Sequence, residues 1–455
     1  MSKKEDSSIA LCLAQLIQRM RSTRVSVQDR RIVRQHMLDA IASAFVGIRN
    51  KVFQDLTQLC PKVTEGRGWP ASRPNRVTAL DAGMLWAFAI NASVFEDGSR
   101  EGACHPAAAV LPTVMALSEK KSWETIDQAV MAGYDVMVRL ARSGNPEFTR
   151  RGFHPTAITA SYGAAATASL LLGFDLSTSQ NALCLAALCS AGLMASFMRG
   201  ETQPLQVAWS VRSGIAAAMM AGAGHLGYDR IIEEGFYPAY LGAQPTLPVG
   251  QSLEFEYAIQ GCYLKPYPGC RHVHPSIDAF SEILKRNNIQ ASQIKKIRVR
   301  TYKVAVETEI HSLNKRGDAY FNIPYALAVR LILGRNDWDA FDEKHFKNEQ
   351  ILKLMRKVKV NVDPQIESQY PNLRGAIVEV EMEKGKTCYG EIHHPLGEPE
   401  NPLPFSMTQE KFRQAAKSFL AKESMDRIET ILDVSGLKDS PEILLKTLSE
   451  NKIED

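Results

Sequence analysis

No stretch of about 18 consecutive apolar residues occurs in this chain, the minimum for a helix that crosses a bilayer, so no membrane span is expected. The amino-terminal MSKKEDSSIALCLAQLIQRM has no sustained apolar core ending in a small-residue cleavage site, so a secretory signal is not expected. No Cys-x-x-Cys pair occurs. The eight cysteines stand apart at 12, 60, 104, 184, 189, 262, 270 and 388, a scatter that fits reduced thiols in a cytoplasmic protein and not a disulfide framework. A Walker loop, a Gly-x-Gly-x-x-Gly opening a βαβ unit, His-Glu-x-x-His and zinc-finger spacings are all missing, as are internal repeats and low-complexity tracts. Net charge is also scarce. A balance of +4 over 455 residues gives no field for nucleic acid, though it allows a local basic pocket. What is left is a globular enzyme-like composition too long for one hydrophobic core, hence two domains.

What is there concentrates first in Lys265–His274, KPYPGCRHVH. Pro266 and Pro268 fix φ and remove two backbone donors, and Gly269 lets the chain turn. The result is a stiff loop carrying Lys265, Arg271, His272 and His274. Ile277, Phe280, Ile283 and Leu284 then repeat at helical spacing behind Pro275. A helix N-terminus adds partial positive charge to a loop that is already basic, which predicts an anion site suited to carboxylates. The other reading is a solvated basic turn before a surface helix. His272-x-His274 lacks a third ligand, so no metal is expected. His393 and His394 are neighbours in a strand and point to opposite faces, so they do not share one either.

Two further histidines stand before helices. His105-Pro106 precedes the helical pattern PAAAVLPTVMALS, with Glu96, Asp97 and Ser99 just upstream. The helix dipole favours a neutral imidazole there, and a neutral His beside carboxylates suits a general acid or base. A helix-capping role is the alternative. His154-Pro155 repeats the construction before a helix of Ala, Gly, Ser and Thr, whose small side chains permit close packing.

Periodicity predicts helices to about residue 250, with the early helix 27–47 placing Asp39 at the edge of its apolar face. Other helices are predicted at 124–143, 178–198 and 319–333, and residues 246–258 read as a linker. The period shifts to two at 294–308, 358–363, 376–382 and 386–392, the last two joined as a hairpin. The predicted class is mainly α with a smaller α+β domain. The boundaries are 1–255 for an all-helical domain, 256–405 for the α+β domain, and 406–455 for helices returning to the first.

KPYPGCRHVHPSIDA resembles the Lys-Pro-Tyr-Pro-x-Cys-Arg-x-x-His segment of the 2-methylcitrate dehydratase (MmgE/PrpD) family, which also includes cis-aconitate decarboxylase and iminodisuccinate epimerase. Similar segments are His105-Pro106 with Val110-Leu111-Pro112, Phe153-His154-Pro155-Thr156, and Pro324-Tyr325. The likeness runs from about residue 10 to 435. It implies a large helical domain, a smaller α+β domain with the site between them, a homodimer, and no metal or organic cofactor. The implied activity is a lyase or isomerase that dehydrates, decarboxylates or epimerises a small di- or tricarboxylic acid. The candidate acids and bases are His105, His154, His272, Tyr325 and Asp97. The candidate substrate-binding residues are Lys265, Arg271, His274, Arg199, Gln203 and Ser99. Two departures stand out. The family's Asp-Phe-Asp-Asp-Thr cluster is replaced by Glu96-Asp97-Gly98-Ser99, and Gln203 stands where the family carries lysine, with Arg199 or Arg212 as a substitute cation. These departures also admit a carboxylate-binding or assembly protein that does no catalysis. Purified protein is expected to run as a homodimer with no stoichiometric metal, and one zinc or iron per chain by elemental analysis would overturn the metal-free expectation.

Overall fold

The computed structural model describes residues 8–72, 74–245, 248–434 and 440–450. The chain forms two compact units, residues 1–263 with 405–455, and residues 264–404.

The first unit is helical. It contains α1 (Ile9–Ser22), α2 (Val27–Gly47), α3 (Lys51–Leu59), α4 (Ala79–Ala92), α5 (Ala107–Leu117), α6 (Trp123–Gly144), α7 (Glu147–Arg150), α8 (Pro155–Leu171), α9 (Leu176–Ala187), α10 (Pro204–Gly222) and α11 (Tyr237–Leu241). A short antiparallel ladder joins β1 (Gly98–Ser99) to β2 (Cys262–Tyr263). Many helices start on a polar side chain that accepts a first-turn amide: Ser26 from Asp29 N, Thr78 from Asp81 N, and Ser122 from Thr125 N. Every residue of α8 is buried. Three of its hydroxyls tolerate this by donating to a carbonyl one turn back, Thr159 to Pro155 O, Thr167 to Gly163 O and Ser169 to Ala165 O. The small side chains let α10 come close, and a Cβ on Gly214 would sit 2.3 Å from Ser161 O.

The helix expected over 178–198 stops at Ala187, and a short 3₁₀ turn follows at Met194–Arg199. The reason is a strand-like pairing with the segment before α8. His154 N donates to Gly192 O at 3.1 Å and Met194 N to Gly152 O at 2.8 Å. Gly192 lies so close to Ala157 that an added Cβ would be 2.4 Å from its methyl carbon. The expected linker at 246–258, of which 246–247 lie outside the described residues, is held against α6. Arg139 donates to Gln251 O, Arg142 to Ser252 O, and Asp135 accepts from Ala258 N.

The second unit builds a four-stranded sheet, ordered β4 (Val358–Val362), β3 (Ile294–Thr301), β5 (Ala376–Met382), β6 (Thr387–Ile392). β3 pairs with β4 in parallel, and β3–β5 and β5–β6 are antiparallel. Its helices are α12 (His274–Arg286), α13 (Lys303–Glu307), α14 (Arg316–Ala319), α15 (Ile323–Ile332), α16 (Glu349–Met355) and α17 (Pro364–Gln369). Ile297, Val299, Val378 and Val380 face inward, while Arg298 and Arg300 reach across to Glu381 and Glu379 on the other face. The strand expected to run to 308 ends at Thr301, because Glu367 accepts from Lys303 N and turns the chain into α13. The helix expected from 319 begins at Ile323. Asn322 caps it, accepting from Tyr325 N at 2.7 Å.

The chain then returns to the first unit through α18 (Phe405–Ala416), α19 (Lys422–Leu432) and α20 (Pro441–Leu448). Among the described residues no helix is long and apolar enough to cross a membrane. The architecture is mainly α with a smaller α+β part. α18 docks on α2 through a buried ion pair. Lys411 Nζ is 2.6 Å from Asp39 Oδ1 and 2.6 Å from Phe95 O, and it lies 3.7 Å over the Phe95 ring. Burial pushes the Asp39 carboxyl up, and Lys411 opposes the shift. Removing one partner of such a pair strands the other charge. Lys411→Ala is therefore expected to cost about 3–5 kcal/mol in urea unfolding, and Lys411→Met with Asp39→Asn to recover most of it. A loss under about 1 kcal/mol for Lys411→Ala would contradict that role.

Candidate active site

Asp97 is fully buried where α2, α6 and the start of α5 meet. Its Oδ2 accepts from Tyr134 Oη at 2.6 Å and from His36 Nδ1 at 2.9 Å, and its Oδ1 accepts from Ala107 N at 3.0 Å. Burial alone would raise its pKa, but these donors outweigh it and hold the carboxyl below the usual range. Asp97 is thus an ionised anchor, and it supplies the acceptor at the N-terminus of α5 that a capping reading had given to His105. Its backbone carbonyl does a second job, accepting from His105 Nδ1 at 2.5 Å. A carbonyl only accepts, so Nδ1 carries a proton, and in the neutral ring the lone pair lies on Nε2.

The loop between these residues is stapled and strained. Ser99 N donates to Cys104 O, and Ser99 Oγ accepts from Gly102 N at 3.2 Å, so this hydroxyl closes the turn. Glu101 is held by Arg142 at 2.8 Å and by Asn145. Gly98 lies against the Tyr263 ring, where a Cβ would fall 2.4 Å from the hydroxyl. Val94 (φ 52°) and Ala103 (φ 47°) adopt left-handed backbone, costing about 1–3 kcal/mol each. Glu96 turns away and accepts from Asn91 at 2.9 Å.

His154 stands beside His105. Thr156, two residues on, accepts from His105 N at 3.1 Å, and the two imidazoles feel each other electrostatically. His154 is buried, edge-on to Phe197 at 5.0 Å, with Nδ1 3.1 Å from Gln206 Nε2. Burial, reinforced by His105, pulls its pKa down to about 3. Gln203 lies one turn before Gln206 at the start of α10, 5% exposed, and its side chain makes no hydrogen bond among the described residues. The Arg199 side chain lies outside the described residues. Arg212, the other candidate cation, is paired with Asp81 at 3.0 Å.

In the second unit, the Lys265–His274 loop is internally knit. Arg271 Nε donates to Glu398 at 3.0 Å, Nη1 to Leu396 O and His274 Nδ1, and Nη2 to Pro395 O. Its guanidinium therefore clamps the 395–398 turn, and His274 is part of that clamp. Tyr267 reinforces it through Asp278, which also accepts from Leu396 N. Lys265 is 1% exposed. His272 Nδ1 meets Tyr302 Oη at 2.7 Å. Burial, then Arg374 and Arg271, pull His272 down to about 3. Arg374 also acts on Cys270, alongside Lys265, which makes this a cationic neighbourhood. Tyr325 is fully buried between Phe341 and Phe346, its hydroxyl donating to Ala340 O at 2.8 Å, so the ring and hydroxyl hold α15 in place. Among the described residues no group of three or more His, Cys, Asp or Glu is placed to hold a metal.

His36, Tyr134, Gln206, Arg374 and Lys411 belong to these networks and were missed from sequence. His36 was detectable, since it lies one turn from Asp39 on the same helix.

Residues 12–247 match the MmgE/PrpD N-terminal domain and residues 267–437 the MmgE/PrpD C-terminal domain. The cis-aconitate decarboxylase of Mus musculus is 25% identical over 439 residues, covering 92% of this chain and 89% of that protein. The Homo sapiens cis-aconitate decarboxylase is 26% identical, covering 88% and 85%. The Aspergillus terreus enzyme of the same name is 23% identical, covering 87% and 86%.

Both buried histidines have folded pKa values below the ordinary 6.5, so the unfolded chain binds more protons as pH falls. Their contribution to stability is complete above about pH 6.5 and is lost on acidification toward pH 3. For His154 the loss is up to about 1.4 kcal/mol per pH unit in that window. An NMR titration of the folded protein should show His154 and His272 neutral from pH 8 to pH 5, and a His154 midpoint near 6.5 would contradict the burial argument.

Proposed function

Because the chain belongs to the MmgE/PrpD family, we propose that it is a lyase acting on a small di- or tricarboxylic acid, with cis-aconitate the first substrate to test. The observation that carries this reading is the pairing of His105 and His154, one imidazole fixed through Nδ1 by the Asp97 carbonyl and the other buried and neutral beside it.

Decarboxylation breaks the bond between carbon and a carboxylate, leaves the electron pair on carbon, and ends with a proton delivered there. Dehydration removes a proton beside a carboxylate and expels hydroxide. Both need a group that exchanges a proton near neutral pH and cations that hold the remaining carboxylates. His105 Nε2 is suited to the first task, and in this reading it is the proton-exchanging group. Lys265 is assigned to a substrate carboxylate. Arg271 also supports the loop, since it donates to Glu398, Leu396 O and Pro395 O. Asp97 is a positioning residue: it orients His105 and α5 without reaching substrate.

Gln203 in place of lysine tunes which acid is accepted. Loss of a charge-assisted hydrogen bond costs about 1.5–3 kcal/mol, or roughly ten- to a hundredfold in affinity for an acid that needs it. Turnover is to be measured with cis-aconitate, 2-methylcitrate, citrate and iminodisuccinate on wild type and Gln203→Lys. The expected result is turnover of at least one acid by wild type, with Gln203→Lys shifting the preference by tenfold or more. No turnover of any acid, with binding retained, would favour a carboxylate-binding protein. An unchanged preference in Gln203→Lys would move the specificity question to Glu96–Ser99.

A further inference from the structure

We propose that Gln206 is a positioning residue that holds His154 with its proton on Nε2, so that His154 presents a hydrogen-bond donor where the neighbouring His105 presents an acceptor. The proposal rests on the lyase reading for its catalytic meaning, but the tautomer itself follows from hydrogen-bond geometry alone.

The amide of Gln206 has only one orientation that satisfies its surroundings. Leu193 N–H points at Oε1 at 2.8 Å, and an amide nitrogen there would oppose two donors. The NH₂ group therefore faces the other way, toward Ser196 Oγ at 2.8 Å and His154 Nδ1 at 3.1 Å. Ser196 confirms this orientation, because its hydroxyl hydrogen is already given to Leu193 O at 2.8 Å and its oxygen is left to accept. Leu193 thus pins both ends of the relay, its N–H through Gln206 and its C=O through Ser196. Both amide hydrogens are spent, one of them on the imidazole.

An NH₂ group cannot accept, so His154 Nδ1 must accept and the neutral ring carries its hydrogen on Nε2. Leu193 itself is held in place by pairing with Phe153, the residue before His154. The relay is therefore anchored to the same backbone segment whose side chain it orients. His105 is set the opposite way, since its Nδ1–H is given to Asp97 O. A donor and an acceptor side by side can protonate one position of a substrate while withdrawing a proton from another, or can stabilise the charge that develops on a carboxylate as it becomes enediolate-like.

The test uses the full chain labelled with ¹⁵N-histidine, with His154 assigned by the signal lost in His154→Gln. Wild type is expected to show the hydrogen on Nε2. Gln206→Glu keeps the Leu193 contact but replaces the donor with a carboxylate oxygen, so the hydrogen should move to Nδ1. On whichever panel acid is turned over, kcat should fall by roughly 10²-fold or more with KM little changed, and the pH profile should shift. Gln206→Met, which can neither donate nor accept, should give mixed tautomers and an intermediate kcat. A wild-type His154 with its hydrogen on Nδ1 would overturn the assignment without any variant having to fold. A flipped tautomer in Gln206→Glu with wild-type kcat and pH profile would overturn the positioning role. Absence of turnover with every acid, alongside a wild-type Nε2–H signal, would defeat the lyase reading while leaving the tautomer assignment intact.

Discussion

A carboxylate with no exposure to water organises the helical unit. Asp97 accepts from Tyr134 on α6, His36 on α2 and the first amide of α5, so one charge ties three helices together at a point where none could afford a gap. An ionised carboxyl survives burial only when its donors replace the lost hydration, and three do so here. The same residue's carbonyl fixes His105. Removing the Asp97 donors would therefore loosen both the packing and the imidazole. Next to it, Asp39 is neutralised by Lys411 from a helix more than 300 residues away in sequence, which closes the first unit around two acidic groups.

The histidines inherit their chemistry from that rigidity. His105 hangs from a backbone atom of a loop held by Glu101 contacts and by strained residues at 94 and 103. His154 is set by an amide relay that returns to the chain beside it. The printed ring contacts of the two imidazoles are to a backbone carbonyl for His105 and to a side-chain amide for His154. Two imidazoles side by side, one of them kept neutral by burial, are a reasonable means of moving protons beside an anionic substrate.

Much of the fold was legible because period and punctuation agree. The alternation at Ile297 and Val299 with Arg298 and Arg300, and the Glu383-Lys384-Gly385 turn, marked three of the four strands of the α+β sheet directly. The helical class followed from apolar spacing and from polar first-turn acceptors. The ends of elements were harder. Helix α9 stops because residues 192–194 pair with 152–154, a long-range event that no local pattern carries. The site was half legible: His105 and His154 stood out by their His-Pro-helix setting, and the structure brings them together. Arg271 and Tyr325 read as functional from the basic loop and the family resemblance, and their bonds to Glu398 and to Ala340 O are contacts that only the tertiary structure reveals. Gln206 and Lys411 were invisible for the opposite reason. Each sits in an amphipathic helix where a polar residue ordinarily faces solvent.

The central claim is that His105, held by Asp97, exchanges the proton in a lyase reaction. The most direct measurement is cis-aconitate turnover by His105→Gln against wild type, with folding checked by thermal unfolding. The account predicts a fall in kcat of about 10²–10⁴ with the fold retained. A folded His105→Gln variant that turns over cis-aconitate at the wild-type rate would contradict it.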